Sequence, residues 1–237
     1  MKYRLTADQS VGTVRPIGRS AMRTQTADIS ARDKILDAAE ALFARRGYAA
    51  VGMSEIAEAV GMSKSSLFHH FPTKAQLYAA TADRILRVIE IALTSTLAAG
   101  GTPVARLDRW IDTIADLLGA HEAYARLLLR SLFEDDEANG AFEEERAVNA
   151  TLHRIIGAAT HLLREGMSTG ALRAASIPHT VQSLIGLLIY HFASGDFGAE
   201  LFGRPIASPV EVRRRKDEIK ALLHHGLVVP RAPLKEN

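Results

Sequence analysis

The sequence predicts an all-α protein, and three observations support this prediction. From Ser30 onward, no segment shows the alternation of apolar and polar residues that is typical of a half-buried strand. Apolar residues recur instead at spacings of three and four, in segments rich in Ala and Leu. Residues that start or stop helices separate these segments. We expect an N-terminal headpiece of three short helices and a larger helical C-terminal domain.

The composition indicates a globular protein and excludes several kinds of site. Apolar residues make up 47% of the 237 residues and charged residues 24%, which is typical of a protein with a real core. The chain has no cysteine, which excludes disulfides, cysteine-ligated zinc and thiol nucleophiles. No apolar run approaches the roughly 20 residues that span a bilayer, and no signal-peptide core is present. We therefore expect a cytoplasmic protein with no membrane partner.

The basic residues are concentrated near the N-terminus. Residues 1–80 contain 11 Lys and Arg against 7 Asp and Glu, a net charge of +4, whereas residues 81–237 contain 18 against 20, a net charge of −2. Such an excess is a weak indication of a nucleic-acid-binding module. Residues 1–29 have few large apolar residues and are interpreted as a flexible basic tail. The alternatives are sequence upstream of a start at Met22 and an arm that contacts DNA.

The first helix begins and ends with recognisable signals. Ser30 and Asp33 form a variant of the capping box, and Gly47 is a typical helix terminator. A second short helix follows Gly52, which is an acceptable N-cap, and has Glu55 at its third position.

A third short helix and a long fourth helix follow a tight turn. Gly61 allows the turn, Ser63 caps the third helix, and Pro72 closes it. Thr73 and Gln76 then form the capping box of the fourth helix. Two short helices joined by a tight turn and preceded by a supporting helix describe a helix-turn-helix motif.

Five further helices are expected after the fourth, and their boundaries are approximate. Gly195–Ala207 is rich in Gly and Pro and is interpreted as a loop. The last helix has a clear start, with Ser208 as cap, Pro209 at the first position and Glu211 reaching back. The expected helices cover residues 103–119, 121–134, 140–168, 177–194 and 209–225.

The third helix separates by spacing into an inner and an outer face. Leu67, His70 and Phe71 share the inner face, where the two apolar residues anchor the helix. The outer face offers a cation, a hydroxyl, an aromatic ring and an imidazole, which can contact base edges, thymine methyl groups or phosphates. Its members are Lys64, Ser65, Phe68 and His69.

The segment Ser30–Leu77 resembles the tetracycline-repressor-like (TetR/AcrR) family of transcriptional regulators. The resemblance rests on Ile35-Leu36-Asp37-Ala38-Ala39, Leu42-Phe43, Arg46-Gly47-Tyr48, Ile56-Ala57, Val60-Gly61-Met62-Ser63 and Leu67-Phe68-His69-His70-Phe71-Pro72-Thr73-Lys74. It implies that the outer face of the third helix enters the major groove of DNA and that Lys74 contacts a phosphate. The resulting DNA-binding candidates are Ser54, Lys64, Ser65, Ser66, Phe68, His69, His70 and Lys74.

Two positions depart from the family's pattern. Phe68 stands where the family usually has Tyr, so only stacking or methyl contact is expected there, without a phenolic hydroxyl. Gly52 stands in place of a usual Thr cap, which leaves backbone amides and Ser54 as candidates for a phosphate contact.

The resemblance also implies a C-terminal domain, residues 78–227, that binds an effector and dimerises. We expect its pocket between the helices of residues 103–194, and a largely apolar ligand because the inward stripes carry few charges. Arg130 is the candidate partner for an anionic group. Core packing is the alternative role for the aromatic residues. The lining candidates are Trp110, Tyr124, Arg130, Phe133 and Tyr190.

The dimer is expected to form when the helices at 177–194 and 209–225 of two subunits pack as a four-helix bundle. Val181–Tyr190 is apolar nearly all round, and Gly186 would allow close approach of a partner helix. The alternative is that both helices close the core of their own domain. The interface candidates are Leu184, Gly186, Leu188, Ile219, Leu222 and Leu223.

The expected function is that of a DNA-binding transcription regulator, a repressor released from its operator by a small, largely apolar effector. A ligand-independent architectural or interaction protein shares the headpiece and is the main alternative. An all-helical enzyme lacks support, because no nucleophile, metal cluster or phosphate-binding loop accompanies the paired carboxylates. No cofactor and no metal are expected, since His153 and His161 lack the His-Glu-x-x-His pattern. Residues 228–237 are interpreted as a C-terminal tail.

Overall fold

The computed structural model describes residues 30–131 and 142–230, and these residues form an all-α fold. The predicted fold class is confirmed. Within this part of the chain, extended pairing is limited to one isolated bridge between Leu172 and Val228. The helices are α1 (Ala31–Ala50), α2 (Met53–Ala59), α3 (Lys64–His70), α4 (Lys74–Ala98), α5 (Pro103–Ala120), α6 (Glu122–Ser131), α7 (Glu143–Ser168), α8 (Ile177–Ile185), α9 (His191–Ala193), α10 (Gly195–Phe202) and α11 (Pro209–Gly226), and a π-helical segment (Gly186–Tyr190) joins α8 to α9.

The predicted caps of the headpiece helices are present. The hydroxyl oxygens of Ser30, Ser63 and Thr73 each accept a hydrogen bond from a backbone N–H three residues later, at 3.1 Å. Gly61 has a φ of +67°, a conformation that favours glycine, and its N–H and that of Met62 close the end of α2. These local bonds fix where each short helix begins and ends.

The long helix α4 joins the headpiece to the C-terminal domain. It packs against α1 on the headpiece side and against α5, α6 and α7 on the other. The buried apolar residues of both parts belong to one continuous cluster. The boundary expected between residues 77 and 78 therefore falls inside a helix that both parts share.

Helix α11 closes the C-terminal domain by packing on α5. Three contacts at four-residue spacing join the two helices: the ion pairs Asp112–Lys220 and Asp116–Lys216 and the hydrogen bond between Asp108 and the His224 ring, with N···O distances of 2.8–2.9 Å. Each contact is partly solvated and contributes little alone, but together they fix the register of the two helices.

The segment that the sequence placed in a loop, Gly195–Ala207, contains helix α10. The physical reason is Gly198, which is buried where an added Cβ would lie 2.8 Å from a methyl carbon of Ile206. This glycine allows close packing inside a helix and does not mark a loop.

The start of α11 and the C-terminal end of the domain also differ from the sequence prediction. The Ser208 side chain makes no capping bond, and Glu211 is buried against Arg204 at 3.2 Å and does not reach back to the cap. Val228 and Val229 are held to Ala171 and Leu172 by backbone pairing, so the folded domain continues beyond residue 227.

No helix within residues 30–131 or 142–230 is long and apolar enough to cross a membrane.

Candidate nucleic-acid interface and ligand cavity

The outer face of α3 is exposed as the sequence predicted. Leu67 and Phe71 have no solvent exposure and fix the helix to the headpiece. Phe68 on the opposite face is 36% exposed, although it is a large apolar ring. The Lys64 ammonium lies 5.7 Å from the centroid of that ring, within the range of a cation–π contact. A cation and an aromatic surface are thus presented together to solvent.

The other candidates on α2 and α3 surround this pair. Ser65 and His69 are exposed, whereas Ser66 and His70 are half-buried at the edge of the same helix. Ser54 is exposed in the first turn of α2. These side chains form one polar surface across the helix-turn-helix, and their contacts with DNA remain a prediction.

Lys74 has a protein environment that the sequence did not reveal. Its ammonium donates to the carbonyl oxygens of Tyr48 at 2.7 Å and Val51 at 3.0 Å, and it lies 4.2 Å from the centroid of the Tyr48 ring. From the sequence, the positive charge of Lys74 was expected to be compensated by a DNA phosphate. The carbonyl groups at the end of α1 already provide this compensation, so Lys74 stabilises the headpiece whether or not it also meets DNA.

The C-terminal domain contains an apolar cavity of about 330 Å³ between α4, α5, α6, α7 and the α8–π segment. No charged residue is present among the described residues that line it. Ser131 and Asn149 are the polar contributors apart from the indole of Trp110. The lining residues are Leu86, Ile89, Leu93, Trp110, Ile114, Leu128, Ser131, Val148, Asn149, Leu152, Ile155, Ile156, Leu184, Ile185, Leu188 and Ile189.

The predicted pocket residues have different positions. Trp110 lines the cavity, but Tyr124 is buried elsewhere and stacks on the His121 ring at 4.5 Å. Arg130 is also corrected, because its guanidinium lies against Gly47 of α1. Tyr190 is 57% exposed on the surface, since its position in the π-helical segment turns it away from the cavity. Phe133 lies outside the described residues.

Sequence reasoning missed the aliphatic majority of the cavity wall. Leu, Ile and Val at helical spacing look the same whether they meet a neighbouring helix or an empty space. Trp110 was the one sequence candidate found among the described lining residues, and the polar pair Ser131 and Asn149 is unremarkable in the sequence.

Helix α6 lies between the cavity and the headpiece. Leu128 and Ser131 face the cavity, whereas the Leu127 carbonyl accepts a buried hydrogen bond of 3.0 Å from the Tyr78 hydroxyl of α4. Arg130 on the same helix contacts the headpiece at Gly47. One helix therefore contacts both the cavity and the headpiece.

The dimer candidates separate into buried and exposed residues. Leu184, Leu188 and Ile219 are at most 3% exposed in one chain, because they pack in their own domain, so a partner cannot bury them further. This burial corrects their assignment to an interface. Gly186 is exposed, with open space where a Cβ would be, and Leu222 is 58% exposed. Leu223 is half-buried against the core.

Further large apolar side chains are exposed at the end of the π segment and on α10 and α11. They are Tyr190, Phe197, Leu201, Phe202 and Val210. Beneath them, burial and the nearby Arg215 guanidinium lower the pKa of His191 to about 4, which keeps its imidazole neutral at neutral pH. Exposed apolar side chains of this number are typical of an interaction surface.

The described residues contain no group of three or more His, Asp or Glu side chains that could hold a metal ion.

Comparison with known proteins agrees with the geometry of the headpiece. Residues 35–81 match the model of the bacterial regulatory proteins of the tetR family. The chain carries the TetR-family helix-turn-helix domain. The resemblance noted in the sequence is thereby confirmed over this segment.

Two curated proteins that are similar to this chain are named as transcriptional regulators. One is the HTH-type transcriptional activator FasR of Mycolicibacterium smegmatis, 40% identical over 73 residues, which are 31% of this chain and 33% of FasR. The other is the HTH-type transcriptional repressor KstR of the same species, 29% identical over 110 residues, 46% of this chain and 54% of KstR. The matches thus span about a third to a half of these relatives' lengths.

Among solved structures, AibR in complex with isovaleryl coenzyme A and operator DNA has a similar fold. The TM-score is 0.66 at 19% sequence identity, over 81% of this chain and 96% of AibR. This similarity extends the fold assignment from the TetR-family domain to the C-terminal helices.

Proposed function

We propose that the protein is a dimeric transcription regulator that binds operator DNA through α3 and is controlled by a small molecule in the C-terminal cavity. The observation that carries the proposal is the exposed face of α3, with Lys64, Phe68 and His69, in a TetR-family domain. A regulator acting on chromosomal DNA would work in the cytoplasm. The names of its relatives are those of regulators, which favours this function over an enzyme.

The DNA-binding proposal is tested by selecting bound sequences from a random DNA pool and measuring affinity for the selected operator. Lys64→Ala and His69→Ala should each weaken binding by about 1–3 kcal/mol and relax preference at a base position, with the fold unchanged. Arg173→Ala removes an equal charge from an exposed loop residue and is the control. Normal operator affinity in both α3 variants would refute this use of the helix.

Replacing Lys74 and replacing Lys64 should have different effects on thermal stability. Lys74→Ala should lower thermal stability, because the Tyr48 and Val51 carbonyl groups lose their donor. If Lys74 also contacts a phosphate, Lys74→Ala should reduce the slope of binding against salt concentration by about one unit without altering sequence preference. Lys64→Ala should leave thermal stability unchanged.

The cavity supports a small, largely apolar effector. Its volume of about 330 Å³ and its apolar lining with few polar groups are typical of ligand pockets. AibR, with a similar fold, was solved with a coenzyme A thioester bound. A ligand-independent architectural protein would have no need of such a space, so the cavity favours the regulator.

The proposed mechanism is an equilibrium between two dimer geometries with different headpiece spacing. A ligand that binds one geometry more tightly shifts the equilibrium by its differential affinity. Helix α6 is placed to transmit this shift, because Leu128 contacts the cavity and Arg130 contacts Gly47. We propose repression relieved by ligand, and a reporter driven by the selected operator tests the direction: deletion of the regulator should raise expression.

A further inference from the structure

The apolar cavity is adjacent to a second, open space on the surface. This groove, of about 730 Å³, lies between α7 and the start of α8. Ile156 and Ile185 line both spaces, so they form the wall that the cavity and the groove share. The remaining residues of the groove are Thr160, Arg164, Ala175, Ser176, Ile177, Pro178, Val181 and Gln182.

The two spaces differ in chemistry. Among the described residues that line either one, Arg164 is the single charged side chain. It is exposed and forms no hydrogen bond or ion pair with another described residue. The adjacent acid, Glu165, is paired with Arg106, which lowers the pKa of that carboxyl, so its charge is already compensated. The groove therefore offers one available cation beside hydroxyl and amide groups.

The size of the inner cavity limits what it can hold. A water-sized group occupies about 30 Å³, and a methylene is of similar size, so the cavity holds about ten such groups. A charged group would be costly inside it, because no described lining residue could pair with it. An elongated ligand with a charged end would therefore place that end outside the cavity, and the adjacent groove offers the Arg164 cation.

We propose that the effector is an elongated amphipathic anion whose apolar tail occupies the cavity and whose anionic head binds Arg164. The chain of the ligand would pass between Ile156 and Ile185. This inference rests on the proposed effector function of the cavity and adds the ligand's charge, its shape and the residue that recognises its head.

Calorimetry with two probes of equal tail length tests the head group. Decanoate and decanol have the same chain, but only decanoate is charged at neutral pH. Decanoate should bind the full-length protein more tightly than decanol. Arg164→Gln should weaken decanoate binding by about tenfold, as expected for a charge-assisted hydrogen bond, and leave decanol binding unchanged. Arg173→Gln, which removes an equal charge outside both spaces, should change neither.

Fluorescence of Trp110 tests the position of the tail, because it is the only tryptophan in the chain and lines the cavity. Bromine quenches indole emission at short range. 10-Bromodecanoate, with bromine at the tail end, should quench strongly, and 2-bromodecanoate, with bromine beside the carboxylate, should quench weakly. Ile185→Phe enlarges a side chain of the shared wall without adding a second indole, as Ile185→Trp would. It should weaken the binding of both bromo acids. Circular dichroism checks that the variant is folded.

The outcomes separate this inference from the proposed function. Equal loss of decanoate affinity in the two arginine variants, no loss in Arg164→Gln, equal quenching by both bromo acids, or no binding of decanoate would each overturn the inference. None of these measurements involves DNA. A wild-type protein that selects no DNA sequence from the random pool would instead overturn the proposed function, whatever the decanoate result.

Discussion

At Gly47 helix α1 is kinked, with φ 78° and ψ 162°, a backbone conformation that is essentially restricted to glycine. The Arg130 guanidinium of α6 lies where a side chain on this residue would extend. The backbone conformation and the contact with Arg130 therefore each require glycine at the point where α1 packs against α6. The sequence placed the end of the first helix at Gly47, whereas this glycine kinks α1, which continues to Ala50. Its contact with a residue 83 positions later was not predictable from spacing.

Gly47→Ala should lower the free energy of unfolding by about 1–3 kcal/mol, because a Cβ there is strained and collides with Arg130. Gly157→Ala is the matched control. Gly157 lies within α7 with nothing near its absent Cβ, so alanine should stabilise the protein by up to about 1 kcal/mol. Urea unfolding followed by circular dichroism measures both. Loss of stability in Gly157→Ala equal to that in Gly47→Ala would contradict the argument.

The polar residues of the headpiece show which features a sequence reveals. Ser63 and Thr73 cap their helices through bonds three residues long, so the pattern of residue types predicted them. The partners of Lys74 lie 23 to 26 residues away in the chain, and only the folded headpiece brings them together. Local chemistry was therefore predictable, and non-local pairing was not.

The helix α6 has only ten residues, yet it contacts both the cavity and α4. Its residues at Leu128 and Ser131 face the cavity, and Leu127 is joined by its carbonyl to Tyr78 of α4. Because Tyr78 does not line the cavity, its hydroxyl affects the attachment of α6 without touching a ligand.

Tyr78→Phe should reduce the coupling between effector and operator by about 0.5–2 kcal/mol, since it removes the buried bond that ties α6 to α4. Effector affinity itself should change little. The measurement is operator affinity by fluorescence anisotropy, with and without the compound that a release screen identifies. Tyr190→Phe removes the same hydroxyl from an exposed site and should behave as wild type. Undiminished release in Tyr78→Phe would exclude this bond from the coupling.

The helices of the C-terminal domain were predicted well where their apolar stripes were regular. α5, α8 and α11 begin at the predicted residues 103, 177 and 209, each with Pro at its first or second position. α10 was missed because its glycines and short length are typical of a loop, and the tight contact of Gly198 appears only after folding. A pocket was expected between the helices of residues 103–194, but the contribution of α4 and the aliphatic residues of its wall could not be predicted, because they depend on how five helices pack against one another.

For the intact protein, the proposed dimer would determine whether two headpieces reach two half-sites. The exposed positions Gly186 and Leu222 are the sequence candidates that a partner can still contact. Leu223 packs partly on its own core, so changing it would confuse folding with association. A single substitution at Leu222 is therefore the sharper test.

Leu222→Glu should convert the dimer to a folded monomer, because a carboxylate in a desolvated interface costs several kcal/mol when unpaired. Ile91→Glu is the matched control, since Ile91 on α4 is 69% exposed but lies on a helix outside the expected interface. Sedimentation velocity measures association, circular dichroism checks helicity, and operator affinity should fall with the dimer because one headpiece contacts only a half-site.

Gly186→Ala tests the same interface by adding a single methyl group. Within one chain the added methyl meets open space, so the protomer should be at least as stable as wild type. A partner helix crossing closely at Gly186 would leave no room for that methyl, and the dimer would then dissociate at higher protein concentration than wild type. If both Leu222→Glu and Gly186→Ala remained as dimeric as Ile91→Glu, the interface would have to lie on another surface, and the exposed apolar residues of α10 would be the next to substitute.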